Sequence, residues 1–298
     1  AHNSLKAHVL YHRLDFDRSQ GVYDKDRFLA YLRLPRPQPY VPREYLNLEE
    51  NRRYPCNLGS GFPGITAFPA VGDDEPLVRA YLSHFFKTET AWTAYETYIN
   101  DLYLKHLFAE TKIVNGLGDE EQWASLLPPE MFQALKERID LDFVPTNKQQ
   151  FAPEDVVSLD LDIKNVGTLI VKVFEINTKS YYRQNLREID TDINLDGLVP
   201  NAEQTLNYAE PPLRRVRRHF EFPKLTGSGV FVIDFIGNGK SSRVLVRKGR
   251  LHYLVRTSSA GQVFSVLDEK NQLVPDATLW LSGHEYRADK AGEIAVPF

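Results

Sequence analysis

Val157-Ser158-Leu159-Asp160-Leu161-Asp162-Ile163-Lys164 alternates apolar and polar residues from end to end. A period of two puts the apolar side chains on one face of a strand and leaves the other face wet. Leu169 to Ile176 reads as a second strand. Farther along, Gly229 to Ile236 and Ser241 to Val246 flank Gly237-Asn238-Gly239-Lys240, a hairpin signal. Lys248-Gly249 then turns the chain into Leu251 to Thr257. Strands this closely spaced, with no helical pattern between them, predict an antiparallel sandwich and not a doubly wound sheet.

Ser258-Ser259-Ala260-Gly261 reads as a junction into the last stretch, up to Phe298. There Val266-Leu267-Asp268-Glu269-Lys270-Asn271-Gln272-Leu273-Val274-Pro275 leads through Thr278-Leu279-Trp280-Leu281 to Asp289-Lys290-Ala291-Gly292. Short strands punctuated by Asp, Asn and Gly turns predict one edge of a second, immunoglobulin-like sandwich. The chain begins at Ala1 without a methionine and ends before such a module would close, so a piece of a longer protein is expected.

Upstream the texture differs. Up to about Ile65 a short apolar stretch, Ala7 to Phe16, is set in irregular, Pro-rich chain. Asp24 to Arg33 predicts a short helix, capped by Asp24, with Phe28, Leu29 and Leu32 on one face. Leu34-Pro35-Arg36-Pro37-Gln38-Pro39-Tyr40-Val41-Pro42 must run extended, either as a rigid connector on its own protein or as a ligand for a partner's groove. Asp73-Asp74-Glu75-Pro76 starts a helix with Leu77, Tyr81, Leu82 and Phe85 at helical spacing. A longer helix is predicted from Glu89 to Val114, with Trp92, Tyr95 and Tyr103 on a packed face, ended by Asn115-Gly116-Leu117-Gly118. Two short helices near Glu120 to Leu127 and Pro129 to Ile139 complete the set. The expected class is therefore α+β and multidomain. Its parts are a helical and irregular region at 1–150, a sandwich at 151–257 and a partial module at 258–298.

Composition narrows the function. A net charge of −4 and a pI near 6.1 argue against nucleic acid as a partner, because neutralising phosphates needs a basic surface. One cysteine, Cys56, excludes an internal disulfide and any Cys-based zinc site. No apolar run approaches the ~18 residues of a membrane span.

Asp160-Leu161-Asp162-Ile163-Lys164-Asn165-Val166, the run Leu169 to Ile176, the loop with Leu195-Asp196-Gly197-Leu198 and Gly229-Val230-Phe231-Val232-Ile233-Asp234 follow one another in a telling order. That order resembles the macroglobulin-like domains of the α2-macroglobulin family. The terminal stretch is similar to the next sandwich of such an array, or to carboxypeptidase-regulatory and bacterial Ig-like repeats. The resemblance covers about the second half of the chain and implies a sandwich scaffold in the cell envelope or outside the cell. Reactive members of the family build a thioester on a Cys-x-x-Gln type sequence. Here Cys56 is followed by Asn57-Leu58-Gly59, so no such chemistry is implied.

Candidate sites are few. Asp192, Asn194, Asp196 and Glu203, with Gly197 at the turn, satisfy the spacing of a calcium loop, in which alternate oxygen ligands converge on one cation. Pro200 is awkward where such a loop feeds a helix, and the alternative is a strand-connecting loop with an Asp-Gly turn. Arg214, Arg215, Arg217 and Arg218 form the one basic cluster. It suits an anionic partner, or else a strand carrying arginines opposite acids such as Glu188, Asp190 and Asp192. Gly237 to Ser241 lacks the glycine a phosphate loop needs, since Asp234 occupies that place. His8 and His12 are four apart, but the stretch reads equally as strand or helix and offers no third ligand, and no Gly-x-Ser-x-Gly elbow exists. No residue earns a catalytic role, and no cofactor is expected beyond calcium.

The expected function is a non-catalytic, structural or protein-binding fragment of a larger macroglobulin-like or surface-array protein. It would bind a protein partner or its parent's other domains through the sandwich faces and the Pro-rich strip. The alternatives are an accessory region of a secreted or envelope hydrolase, or a calcium-dependent adhesive module.

Overall fold

The structure, a computed structural model, describes residues 2–298. Helices α1 (His2–Ser19), α2 (Lys25–Leu32), α3 (Arg43–Leu46), α4 (Glu49–Arg53), α5 (Glu75–Phe86), α6 (Asp101–Asn115), α7 (Glu120–Ala124) and α8 (Pro129–Glu137) come first. Strands β1 (Asp140–Phe143), β2 (Gln150–Phe151), β3 (Val157–Lys164) and β4 (Thr168–Glu175) lead to one more helix, α9 (Thr178–Asn185). Then follow β5 (Ala202–Asn207), β6 (Arg215–Phe222), β7 (Gly229–Gly237), β8 (Lys240–Lys248) and β9 (His252–Ser258). The chain ends with β10 (Gly261–Leu267), β11 (Thr278–Leu281), β12 (His284–Arg287) and β13 (Glu293–Pro297). The α+β class holds, with open sheets and no barrel among the described residues. The chain divides into two compact units. One is Ala1–Asn147, Asp160–Thr168 and Asn207–Arg218; the other is Lys148–Leu159, Leu169–Leu206 and His219–Phe298.

In the first unit, the apolar stretch Ala7 to Phe16, which reads equally as strand or helix, lies inside the 18-residue helix α1. Its buried face carries Ser4, His8 and Asp17 beside Ala7 and Leu14, so polar residues mask the helical period. Asp24 caps α2 as expected, accepting from the Arg27 N–H at 2.9 Å. The long helix predicted from Glu89 is broken: a 3-10 turn at Thr93–Tyr95 precedes α6, which starts only at Asp101. The reason is tertiary. Asn100 donates its backbone N–H to the Tyr40 carbonyl (2.8 Å) and its side-chain amide to Pro39 (3.1 Å), which holds this corner out of the helix. Tyr95 is fully buried, and Trp92 and Tyr103 pack at the margin of the same core, as an aromatic face should.

The Pro-rich strip is pinned to its own domain. Arg36 and Asp74 form an ion pair with neither side chain exposed. Asp74 also accepts hydrogen bonds from the hydroxyls of Tyr31 (2.7 Å) and Tyr40 (2.6 Å). Leu34, Tyr40 and Val41 are buried in the core, so the strip offers no ligand for a partner's groove. The α6 terminus is as predicted: Gly116 takes the left-handed conformation (φ 64°), with its N–H to Ile113 and that of Leu117 to Lys112. This unit also holds most of the sheet ordered β1-β3-β6.

The second unit is built on the sheet ordered β2-β8-β7-β4-β5. β4, β7 and β8 run antiparallel, while the two-residue β2 pairs parallel with β8. The predicted hairpin joins β7 to β8, with Gly237 opposite Lys240 and positive φ at both Asn238 and Gly239. Phe174, Val232 and Leu245 form a cluster that also takes Ile189, Ile193 and Leu195 from the loop before β5. The expected junction at Ser258–Gly261 is a hairpin turn within one sheet, ordered β13-β10-β9. Gly261 is required there, since a Cβ would stand 2.1 Å from the Val296 carbonyl oxygen. α9 carries Lys179 and Arg183, both of which reach Glu285 of β12.

Candidate protein-binding surfaces

The four arginines do not form an open cationic patch. Arg217 of β6 makes a two-pronged contact with Asp162 of β3 (2.9 and 3.0 Å). Arg215 binds Asp142 of β1 at 2.8 Å and approaches Asp140 at 3.6 Å. Arg218 pairs with Glu210 and lies 4.5 Å from the Tyr208 ring centre. Arg214 rests its guanidinium directly against Gly116 at the end of α6, where the helix dipole favours a cation. Burial would raise the Asp162 pKa, but the Arg217 hydrogen bonds and the charges of Arg215, Arg217 and Lys87 outweigh it, so the carboxyl is held below its ordinary value. Three of the four, Arg215, Arg217 and Arg218, face acids, and Arg214 does not. The partners are Asp140, Asp142, Asp162 and Glu210, not Glu188, Asp190 and Asp192. Cross-strand register decides this: Asp142 and Asp162 are direct partners on β1 and β3, and β6 flanks β3.

The candidate calcium residues are placed as follows. Asp192 pairs with Arg187 at 3.1 Å, and Glu203 on β5 approaches Lys172 of β4 at 3.7 Å. The Asn194 side-chain oxygen accepts from the Asp196 N–H at 2.9 Å, closing a turn before Gly197 (φ 79°). The alternation that suits a cation loop serves the core here: Ile193 and Leu195 point inward, and Asp192, Asn194 and Asp196 point out. Among the described residues, no group of three or more His, Cys, Asp or Glu is arranged to hold a metal.

One small cavity lies beside Lys164, Val166, Tyr208, Arg214 and Arg218; at about 10 Å³ it takes a single water, not a substrate. Cys56 is buried, and burial pushes its thiol pKa up to about 11, which makes it a poor nucleophile near neutrality.

Exposed apolar side chains gather in two places. On β9, Tyr253, Leu254 and Val255 are exposed, with Leu251 just before them, and β9 is an edge strand. On the helical unit, Val9 and Phe16 of α1 are exposed, as are Ile65 and Phe68 of the loop that follows α4. That loop is clamped to α1 by two histidines. His8 Nε2 lies 2.8 Å from the Thr66 hydroxyl, His12 Nε2 lies 3.0 Å from the Pro69 carbonyl, and the His12 ring stacks on Phe68. This surface was not legible in the sequence, because it depends on Ala7 to Phe16 being helical. The available signal was Val9 and Phe16, seven apart and so on one helical face.

Residues 1–139 match the family model of the actin-binding protein F N-terminal domain, and residues 169–249 match that of the AbpF first immunoglobulin-like domain. The second half therefore contains an immunoglobulin-like module, as expected, but the matching family is not a macroglobulin one. Over 299 aligned residues the chain is 36% identical to Actin-binding protein F of Dictyostelium discoideum. The alignment covers 99% of this chain and 12% of that protein. Two crystal structures of Escherichia coli α2-macroglobulin also align, one spanning domains MG0-NIE-MG1 and one NIE-MG1. They have TM-scores of 0.35 and 0.34, identities of 13% and 12%, and cover 54% of this chain and 57% and 88% of theirs. The expected envelope or secreted location is corrected by the Dictyostelium relative, which is named for binding actin.

Proposed function

We propose that this chain is a non-catalytic, protein-binding segment of an actin-associated protein, and that it contributes to the attachment of its parent to actin filaments. The observation that carries the proposal is the extent of the likeness. Identity of 36% runs through 99% of the chain, helical half and immunoglobulin-like module alike, to a relative named for actin binding. The surfaces described above favour binding over chemistry: exposed apolar side chains grouped on ordered elements, and Arg215 and Arg217 committed to acids of the same unit. In this reading the immunoglobulin-like module is the structural part and the helical unit is the part that touches a partner.

The test is co-sedimentation of the 298-residue chain with actin filaments over a range of filament concentrations. The chain is expected to enter the pellet in a saturable manner. A chain that stays in the supernatant at tens of micromolar actin, on the order of the weak end of specific association, overturns the proposal.

A further inference from the structure

We infer that His8 and His12 form a proton-operated latch between α1 and the loop of residues 57–72, closed while both rings are neutral and released when His8 takes up a proton. The latch does not rest on the actin reading. The middle of this loop, Phe62 to Pro69, has little else to hold it. Phe62 and Thr66 are half-buried, and the other residues of the segment are exposed. Among the described residues, only two hydrogen bonds tie the segment to the rest of the unit, and both end on histidine. His8 Nε2 meets the Thr66 hydroxyl at 2.8 Å, and His12 Nε2 meets the Pro69 carbonyl at 3.0 Å. Ring contacts complete the latch: Phe62 is edge-on to His8 with ring centres 5.2 Å apart, and Phe68 stacks on His12 at 4.6 Å. The ends are fastened separately. Asn57 donates its backbone N–H to the Ser4 hydroxyl (2.9 Å), and Gly72 donates to the Leu58 carbonyl (2.9 Å). The middle can therefore lift as a local opening while its ends stay in place.

An added proton does not fit the closed arrangement. His8 is 1% exposed, and its Nδ1 is buried without a hydrogen-bond partner. Whichever nitrogen bears the hydrogen in the neutral ring, an imidazolium must carry one on Nδ1 as well. There the N–H of a charged group would be buried with no acceptor, the costly case for a donor. The second histidine adds to the cost. The His12 ring centre is 4.6 Å from that of His8, so a charge on either ring opposes a charge on the other.

No carboxylate offsets these charges. On α1 itself, Asp15 pairs with Arg18, Asp17 pairs with Arg13 and Arg27, and Lys6 is exposed. Tyr11 sets its ring edge-on to His12 at 5.3 Å and meets Tyr31 of α2 on its other side. Arg27 of α2 goes to Asp17 and Tyr81 of α5 to the Leu14 carbonyl, both farther along the helix than the histidines. Asp74, just before α5, is held by Arg36. The loop turns only Phe62, Thr66, Phe68 and the Pro69 carbonyl to the two rings, and none of these is ionisable. Burial and the neighbouring His12 accordingly hold the His8 pKa below its ordinary 6.5. Lifting the loop admits water to His8 and removes the penalty, so the closed state is fully favoured above about pH 6.5 and loses ground as the pH falls.

The experiment is amide hydrogen exchange of the full chain at pH 7.5 and 5.5, read by mass spectrometry, with each rate divided by the intrinsic rate at that pH. Peptides within residues 57–72 report the loop, and α6 is the internal reference. A group that titrates at its ordinary 6.5 only when the loop is open raises the open population about tenfold over these two pH units. Loop protection is therefore expected to fall several-fold, with about tenfold as the ceiling, while α6 keeps its protection. In H8Q, whose amide can still bond Thr66 but cannot charge, the fall should vanish. In H12Q, which removes the neighbouring charge, it should shrink. Loop protection that is the same at both pH values in the unaltered chain overturns the latch. So does a loss shared equally by α6, which is unfolding of the whole unit, and so does an undiminished fall in H8Q. If thermal melts show H8Q unfolded at pH 7.5, the unaltered chain and H12Q decide: equal falls in the two overturn the coupling of the rings.

Discussion

Replacing Asp74 by leucine should cost the helical unit more than any other single change of comparable size. Asp74 is fully buried and accepts from Tyr31, Tyr40 and Arg36 at once. Arg36 is equally buried, and its Nε and second terminal nitrogen already lack a hydrogen-bond partner in the protein. Burial alone would lower the Arg36 pKa, but the attraction of Tyr40, Asp74 and Tyr31 more than offsets it, so the guanidinium stays charged. Asp74→Leu leaves that charge in the core with no counter-ion, and removing one partner of a buried pair costs roughly 3–5 kcal/mol. For a unit of this size each kcal/mol lowers the melting temperature by about 2–4 °C, so a fall of about 6–20 °C is expected. The assay is a far-ultraviolet circular dichroism melt of the full chain. Asp74→Leu combined with Arg36→Met should recover part of the loss, because neither charge is then stranded, while the buried Tyr31 and Tyr40 hydroxyls still lack their acceptor. A single variant that melts within about 2 °C of the unaltered chain would refute the view that this pair anchors the Pro-rich strip.

Three further outcomes are expected. Gly116→Ala should destabilise by about 1–2 kcal/mol, because φ 64° is unfavourable for any residue with a Cβ. That Cβ would also fall 1.1 Å from an Arg214 nitrogen, so a shift in the melt that shrinks in an Arg214→Ala background checks the contact. Burial and the neighbouring His12 hold the His8 pKa below its ordinary 6.5, so the unfolded chain takes up the proton more readily. The stability tied to His8 is then complete above about pH 6.5 and lost as the pH falls toward the folded value. Melts between pH 5 and 7.5 should therefore show a shallower acid decline in His8→Gln, and identical slopes would disprove the point. Millimolar calcium should leave the melting temperature unchanged, since Asp192 and Glu203 are engaged by Arg187 and Lys172. A rise in the melting temperature would show a cation bound to the folded chain.

Much of the architecture follows from local chemistry. The Asn-Gly pair at 238–239 adopts positive φ at both positions and makes its hairpin, and Asp24 caps α2 through its own side chain. The alternation from Val157 to Lys164 keeps its apolar side buried throughout. Such features depend on a few neighbouring residues, so sequence alone determined the α+β class, the strand-rich second half and the end of α6 at Gly116. What escaped was decided by residues far apart in the chain. α1 was hidden because Ser4, His8 and Asp17 sit on its buried face, and their partners Asn57, Thr66 and Arg27 come from later segments. The helix expected from Glu89 was cut short by the Tyr40 carbonyl, sixty positions upstream of the Asn100 N–H it receives. Tertiary structure likewise gave Arg215 and Arg217 of β6 their partners on β1 and β3, and stacked Phe68 on His12 of α1. Local preference fixes turns, caps and periods over a few residues. Which polar groups are buried, and which apolar ones are left outside, depends on contacts that exist only once the chain has closed on itself.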